Sequence, residues 1–266
     1  MDNPFGPTPC LITKERGPSD AIRCCQLLHG TDAQIEKWRK IWGPDFVIRS
    51  LQNQVVLRAD WENMLRAHRW ALVPHEEVLT DMLRVLFEHK ERGVRPLLNK
   101  LEISHGRASP PTALRLLPFG YEYQFVPLAL EGSRIHREIP VGPRDFGNPH
   151  GQQMAIQTFN PPYDDFPDVF WHVHPFFAIQ SAWEHFSARA TELNSQQRTI
   201  YAHLFTIVKL LEEMVDLPVE AETNDTDEDE TEEDDAEEDE IKAEEMSARK
   251  RPRMGEYNLT SFMRRL

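Results

Sequence analysis

Apolar positions recur along this chain at two spacings, and those spacings predict its elements. Between residues 31 and 42, Ile35, Trp38, Ile41 and Trp42 fall on one helical face. Thr31 and Gln34 precede them at capping-box spacing, and Gly43 follows at the C-terminal cap position, so a helix is predicted over 31–42. A second helix is predicted over 75–91 from the stripe Val78, Met82, Val85 and Leu86. A third is predicted over 196–214 from Ile200, Leu204, Ile207, Leu211 and Met214. Alternating or continuous apolar runs predict strands at 10–13, 21–28, 54–57, 70–73 and 121–126. Pro74 ends the fourth of these. The run 169–179, VFWHVHPFFAI, is strongly apolar and β-prone. A polar turn and a short helix over about 60–67 separate the runs 54–57 and 70–73. From 93 to 162 prolines and glycines recur between short runs, which predicts a β-rich or loop-rich extension.

Charge changes the picture at one end only. The chain has 266 residues and a formal charge of −14, but residues 219–246 hold 17 acids against one lysine, a charge of −16. Residues 247–266 carry six bases and one acid, so the body is close to neutral. A segment this acidic and poor in apolar residues does not bury enough surface to offset its ordering entropy, and disorder is predicted for it. Arg249, Lys250, Arg251 and Arg253 follow as a basic cluster of the nuclear-localisation type. Three cysteines without a CxxC spacing argue against a disulfide framework or a structural zinc site. The N-terminus lacks a basic region followed by an apolar run, and no 18-residue apolar stretch occurs, so neither a signal peptide nor a membrane span is expected. A nuclear or cytoplasmic protein is the expectation.

The stretch 51–74, LQNQVVLRADWENMLRAHRWALVP, carries the candidate chemistry. Asn53, Leu57, Arg58, Ala59, Asp60 and then Trp70, Ala71, Leu72, Val73 and Pro74 resemble the second half of the motif in fungal HNH (ββα-metal) nucleases. Cys10 to Thr13, CLIT, resembles the opening of the same family. Residues 25–30, CQLLHG, fall where that family ends its first strand in Cys-His-Leu, and the His-Val-His-Pro segment from His172 to Pro175 is similar to one that follows its nuclease core. The resemblance spans residues 8–90 well and 120–215 loosely. It implies a ββα-metal core within residues 1–92; with the β/loop-rich extension over 93–217 ending in a long helix and the disordered acidic tail over 218–266 that the sequence pattern predicts, the expected fold is α+β.

The resemblance also implies a chemistry. A hard divalent cation, Mg²⁺ or Mn²⁺, polarises the phosphodiester and stabilises the leaving oxygen. A histidine at the end of the first strand takes the proton of the attacking water. An asparagine holds that corner, and a histidine on the helix binds the metal. Asn53 is present. The proton acceptor's position is Gln26, whose amide does not act as a base near neutral pH; loss of such a group lowers rate by about 10² to 10⁴. His29 lies three places on, and on a continuing strand it points to the opposite face. Glu62 stands at the metal-binding histidine's position. Carboxylates suit Mg²⁺ or Mn²⁺, and Asp60 adds a second, or serves as the helix N-cap. Arg66 stands where the family carries Asp, and it joins Arg58 as a candidate phosphate contact. His172 and His174, at i and i+2, share a strand face, where hydrogen-bonded structural roles are the commoner outcome.

Two functional expectations follow. One is an HNH nuclease-like protein acting on DNA, weak or inactive as an endonuclease because of Gln26 and Glu62. The other is a non-enzymatic nuclear protein that binds basic partners such as histones through residues 219–246.

Overall fold

The computed structural model describes residues 8–17, 21–43, 46–96, 120–130, 132–141 and 153–219. The acidic segment from 220 onward and the basic cluster at 249–253 lie outside the described residues. Among the described residues the fold is α+β, with five α-helices and seven strands in three small antiparallel sheets. All the described residues fall within one compact unit.

Strand β1 (Ile22–Gln26) pairs antiparallel with β2 (Gln54–Arg58), with Ile22 opposite Arg58 and Gln26 opposite Gln54. Between them lies α1 (Asp32–Trp42). Its capping box closes as expected: Gln34 N donates to Thr31 Oγ1, and Thr31 N donates to Gln34 Oε1 at 2.8 Å. Trp38, Ile41 and Trp42 are buried. A single 3-10 turn (Leu51–Asn53) leads into β2. Helix α2 (Ala59–Arg66) starts directly at the end of β2 with no intervening turn. This eight-residue helix is too short to persist alone. Trp61 and Leu65, one turn apart, bury its inner face, and Trp61 meets Trp70 edge-on at 6.1 Å.

After α2, strand β3 (Trp70–Pro74), β4 (Tyr121–Pro127) and β7 (Val169–Trp171) form a sheet in the order β3-β4-β7. All five residues of β3 are buried. The sheet joins residues on both sides of the boundary expected at 92/93. Helix α3 (Glu76–Glu91) packs against α5 (Ser195–Glu213), and α4 (Pro175–Ala188) packs against both β3 and α5. Strands β5 (Ile135–Pro140) and β6 (Met154–Phe159) form a separate hairpin. Trp70, Tyr123, Phe159 and Phe186 are the largest fully buried side chains.

Several expectations change. Residues 11–13 form a turn rather than a strand, with Lys14 N donating to Cys10 O at 2.9 Å. The apolar run 169–179 is a three-residue strand and then a helix. Pro175 occupies the first turn of α4, where its missing N–H is not needed, and His174 is the N-cap. The pair His172 and His174 therefore does not share a strand face: Leu51 O accepts a hydrogen bond from His172 Nε2 at 2.8 Å, while His174 Nδ1 accepts from Phe176 N. At the other end, Pro218 belongs to the folded unit rather than to the tail, since its carbonyl accepts from Arg95 N at 2.8 Å. Among the described residues no helix is long and apolar enough to cross a membrane.

Candidate functional site

The end of β1, the start of β2 and helix α2 meet at one corner, and Asn53 ties it together. Asn53 is fully buried. Its Oδ1 accepts from Leu28 N at 3.0 Å, and its Nδ2 donates to Leu28 O at 3.0 Å and to Ile48 O at 2.8 Å. Leu27 N also donates to Asn53 O. Every polar atom of the side chain is thus spent on main chain, so Asn53 shapes the corner and offers nothing to a ligand.

That clamp redirects His29. The strand ends at Gln26, and the buried residues Leu27 and Leu28 form a bend held to Asn53, so the two-residue alternation expected to turn His29 away stops before reaching it. His29 instead sits near Glu62 and Arg66 of α2. Burial and the Arg66 charge hold its imidazole below the usual histidine range. One ring nitrogen hydrogen-bonds the main chain of Gln26, and Nε2 is buried with no hydrogen-bond partner. With the first nitrogen donating to a carbonyl, Nε2 carries the lone pair. Gln26 itself is half-buried beside Gln54, whose Oε1 accepts from Cys24 Sγ.

Both candidate carboxylates of α2 are committed to arginines, Glu62 on the helix face near His29 and Asp60 at the far end of the strand pair, where Arg58 lies opposite Ile22. Glu62 Oε1 accepts from Arg66 Nε at 3.0 Å and from Arg66 Nη2 at 2.6 Å, one helical turn on. Asp60 takes both prongs of Arg58, Nε to Oδ1 and Nη2 to Oδ2, each at 2.7 Å. Arg58 Nη1 also pairs with Glu15. These contacts hold the Asp60 carboxyl below its usual range and raise Arg58 above its own. Arg58, not Asp60, is the N-cap of α2, and it makes no side-chain cap bond. Arg58 is therefore already neutralised by two acids rather than open to a phosphate, while Arg66 is exposed and shared with Glu62 alone. Among the described residues, no three His, Cys, Asp or Glu side chains converge as a metal-holding group.

Sequence reasoning missed the residues behind this corner. Helix α2 ends in a Schellman turn: His68 N donates to Leu65 O, and Arg69 N to Met64 O, both at 2.9 Å. His68 occupies the left-handed position, φ 54°, where glycine is usual. Its Nδ1 lies 2.6 Å from His185 Nδ1. His185 Nε2 contacts Ser181 Oγ at 3.2 Å, and Ser181 Oγ donates to Leu27 O. The proton order follows. Ser181 uses its only hydrogen on Leu27, so His185 Nε2 must donate to Ser181. His185 Nδ1 then accepts, and His68 Nδ1 donates. Burial first, then the nearby His68 and His29, push His185 down to about 3, so its ring is neutral at pH 7. Positions 68 and 185 are joined by no local pattern. The one available signal was the left-handed turn geometry at His68, which the sequence does not announce without a glycine.

No protein-family model, curated protein or solved structure matches the chain.

Proposed function

We propose that this chain is an HNH nuclease-like protein, related to metal-dependent endonucleases that cleave DNA phosphodiesters, with cleavage weak or absent. The observation that carries the reading is the corner itself. An antiparallel strand pair leads straight into a short helix, and a buried asparagine clamps the turn after the first strand. A frame of this kind supports the reading, and the residues that would do chemistry on it are altered. Gln26 has no proton to exchange near neutral pH. His29 brings a neutral imidazole toward Glu62, but its free nitrogen is shut from solvent.

The donor set argues against a resident Mg²⁺ or Mn²⁺. A hard dication wants several oxygens around one point. Here Glu62 and Asp60 each face an arginine, and those charges repel a cation.

Plasmid nicking in Mg²⁺ or Mn²⁺ tests this. The expected outcome is no cleavage above background for the full chain. Robust cation-dependent nicking that His29→Ala abolishes would overturn the claim of weakness and make His29 the base.

A further inference from the structure

We propose that Lys14 and Arg137 form a binding site for a phosphate oxyanion. The site is separate from the Asn53 corner and does not rest on the nuclease reading. The turn at residues 10–15 is stitched to β5: Thr13 O accepts from Glu138 N at 2.8 Å. This bond places Lys14, the next residue along, beside Arg137, the residue before Glu138. Lys14 holds a left-handed backbone, φ 59°, at the point where the turn reverses.

Arg137 is buried, with 7% of its surface exposed. Its guanidinium lies over the Phe166 ring, 5.0 Å from the centroid, and Phe166 is in turn packed between Phe125 and Phe159. A ring face steadies a cation but supplies no hydrogen-bond acceptor. Nη1 of Arg137 is buried with no hydrogen-bond partner. Among the described residues no carboxylate acts on either cation, and the charge that acts against Lys14 is that of Arg137. Glu15, the residue after Lys14, is taken by Arg58, and Glu138, the residue after Arg137, is not among the groups acting on either cation.

Two positive groups brought together in a part-buried place without a counter-charge are unfavourable unless something supplies one. Both side chains register the strain. Burial, then Arg137, lowers the Lys14 ammonium to about 8, and burial lowers Arg137 to about 10. The missing partner is an anion. A planar guanidinium and a compact ammonium close enough to feel each other's charge match a tetrahedral oxyanion of high charge better than a single carboxylate. Lys14 is only half-buried, so the anion reaches Arg137 from its side. The phosphate comes from a free phosphate or from the phosphodiester of a DNA strand; both present the same oxygens.

The test uses the full chain at constant ionic strength. Thermal melting is followed with potassium phosphate against potassium chloride, and affinity is measured by calorimetry. Phosphate is expected to raise the midpoint where chloride does not. Lys14→Gln is expected to weaken phosphate binding about tenfold or more, as loss of a charged hydrogen bond does, and Lys14→Arg to retain it. A short single-stranded oligonucleotide then separates the sources. If the phosphodiester is the ligand, the oligonucleotide competes with phosphate and loses affinity in Lys14→Gln. If free phosphate is the ligand, the phosphate isotherm is unchanged by it. Either supports the site. Arg137→Met removes the deeper group, and Lys14→Gln carries the test if that variant does not fold. The proposal is overturned if wild type shows no phosphate-specific shift, or if Lys14→Gln shows the same shift as wild type. Neither result depends on whether the chain nicks DNA.

Discussion

Replacing Asn53 by alanine strands three main-chain groups at once: Leu28 N–H, Leu28 C=O and Ile48 C=O. All three partners sit around a side chain with no exposed surface, so water does not take over. An unsatisfied buried group costs roughly 1–3 kcal/mol. The N–H lies at the upper end, and the carbonyls, with two lone pairs each, lie lower. The sum is about 3–6 kcal/mol, against a total of about 5–15 kcal/mol for a typical domain. Equilibrium urea unfolding reads this as a lower midpoint with an unchanged slope. Asn53→Asp sharpens the test. One carboxylate oxygen still accepts from Leu28 N, but the other then faces two carbonyls. That raises the aspartate's folded pKa, and the linkage sign is fixed: a carboxyl raised in the folded state is least harmful where it is protonated. The deficit against wild type should therefore shrink as pH falls from 7.5 to 5. An Asn53→Ala loss below about 1 kcal/mol, or an Asn53→Asp deficit that does not change with pH, would refute the clamp. The same arithmetic means that a cleavage assay on Asn53→Ala reports folding, which is why His29 is the residue to vary.

Two titrations make further predictions, of opposite sign. His185 is held at about 3 in the fold, against 6.5 when unfolded, so unfolding takes up a proton between those values and stability falls on acidification. From pH 7 to 5 this site alone accounts for about 2 kcal/mol, and a His185→Asn chain, although weaker at neutral pH, should show a flatter acid limb in urea unfolding. Glu184 is raised to about 7 by burial, offset in part by Gln180 and Lys37, so the folded state holds its proton and stability is lost as pH rises from 4.5 through 7. Glu184→Gln should gain stability over wild type at pH 8 and show no gain at pH 4.5; equal effects at both values would contradict the buried-acid account.

Local chemistry made much of the fold legible. The Thr31–Gln34 box and the stripe of Trp38, Ile41 and Trp42 marked α1 because a surface helix needs a cap and one apolar face. Helix α5 was legible through Leu204, Ile207 and Leu211 for the same reason. Helix α4 was not. From Pro175 to Ala182 its residues are all buried, so no polar face imposes a 3.6-residue period, and its aromatic and branched residues read as strand. The corner was half legible. Asn53, Gln26 and Glu62 were named only through the motif resemblance, and the bend at Leu27–Leu28 that turns His29 inward comes from hydrogen bonds to a residue some 25 positions away. The contact of His68 with His185, 117 residues apart, and the adjacency of Lys14 and Arg137 exist only after folding.

On the proposed reading, two of the departures in α2 are one physical change. Where the resembled pattern carries a histidine and, four residues on, an aspartate, this chain carries Glu62 and Arg66. Positions i and i+4 lie on the same face of a helix, and an acid placed before a base there is the favourable order. The interaction between the two positions is thus kept while its chemistry is exchanged: a neutral metal ligand followed by a carboxylate becomes a carboxylate already met by a cation. Asp60 is met in the same way by Arg58. Glu62 and Asp60 are each met by an arginine within four residues, although Arg58 is shared between Asp60 and Glu15. A reversion of Glu62 alone would leave Arg66 facing a histidine, and a reversion of Arg66 alone would set Glu62 against an aspartate on the same face. Of the two, the change at Arg66 is the one that recreates a demand for a metal, since two carboxylates on one helix face without an arginine suit a hard dication, so position 66 has to change before Gln26 matters.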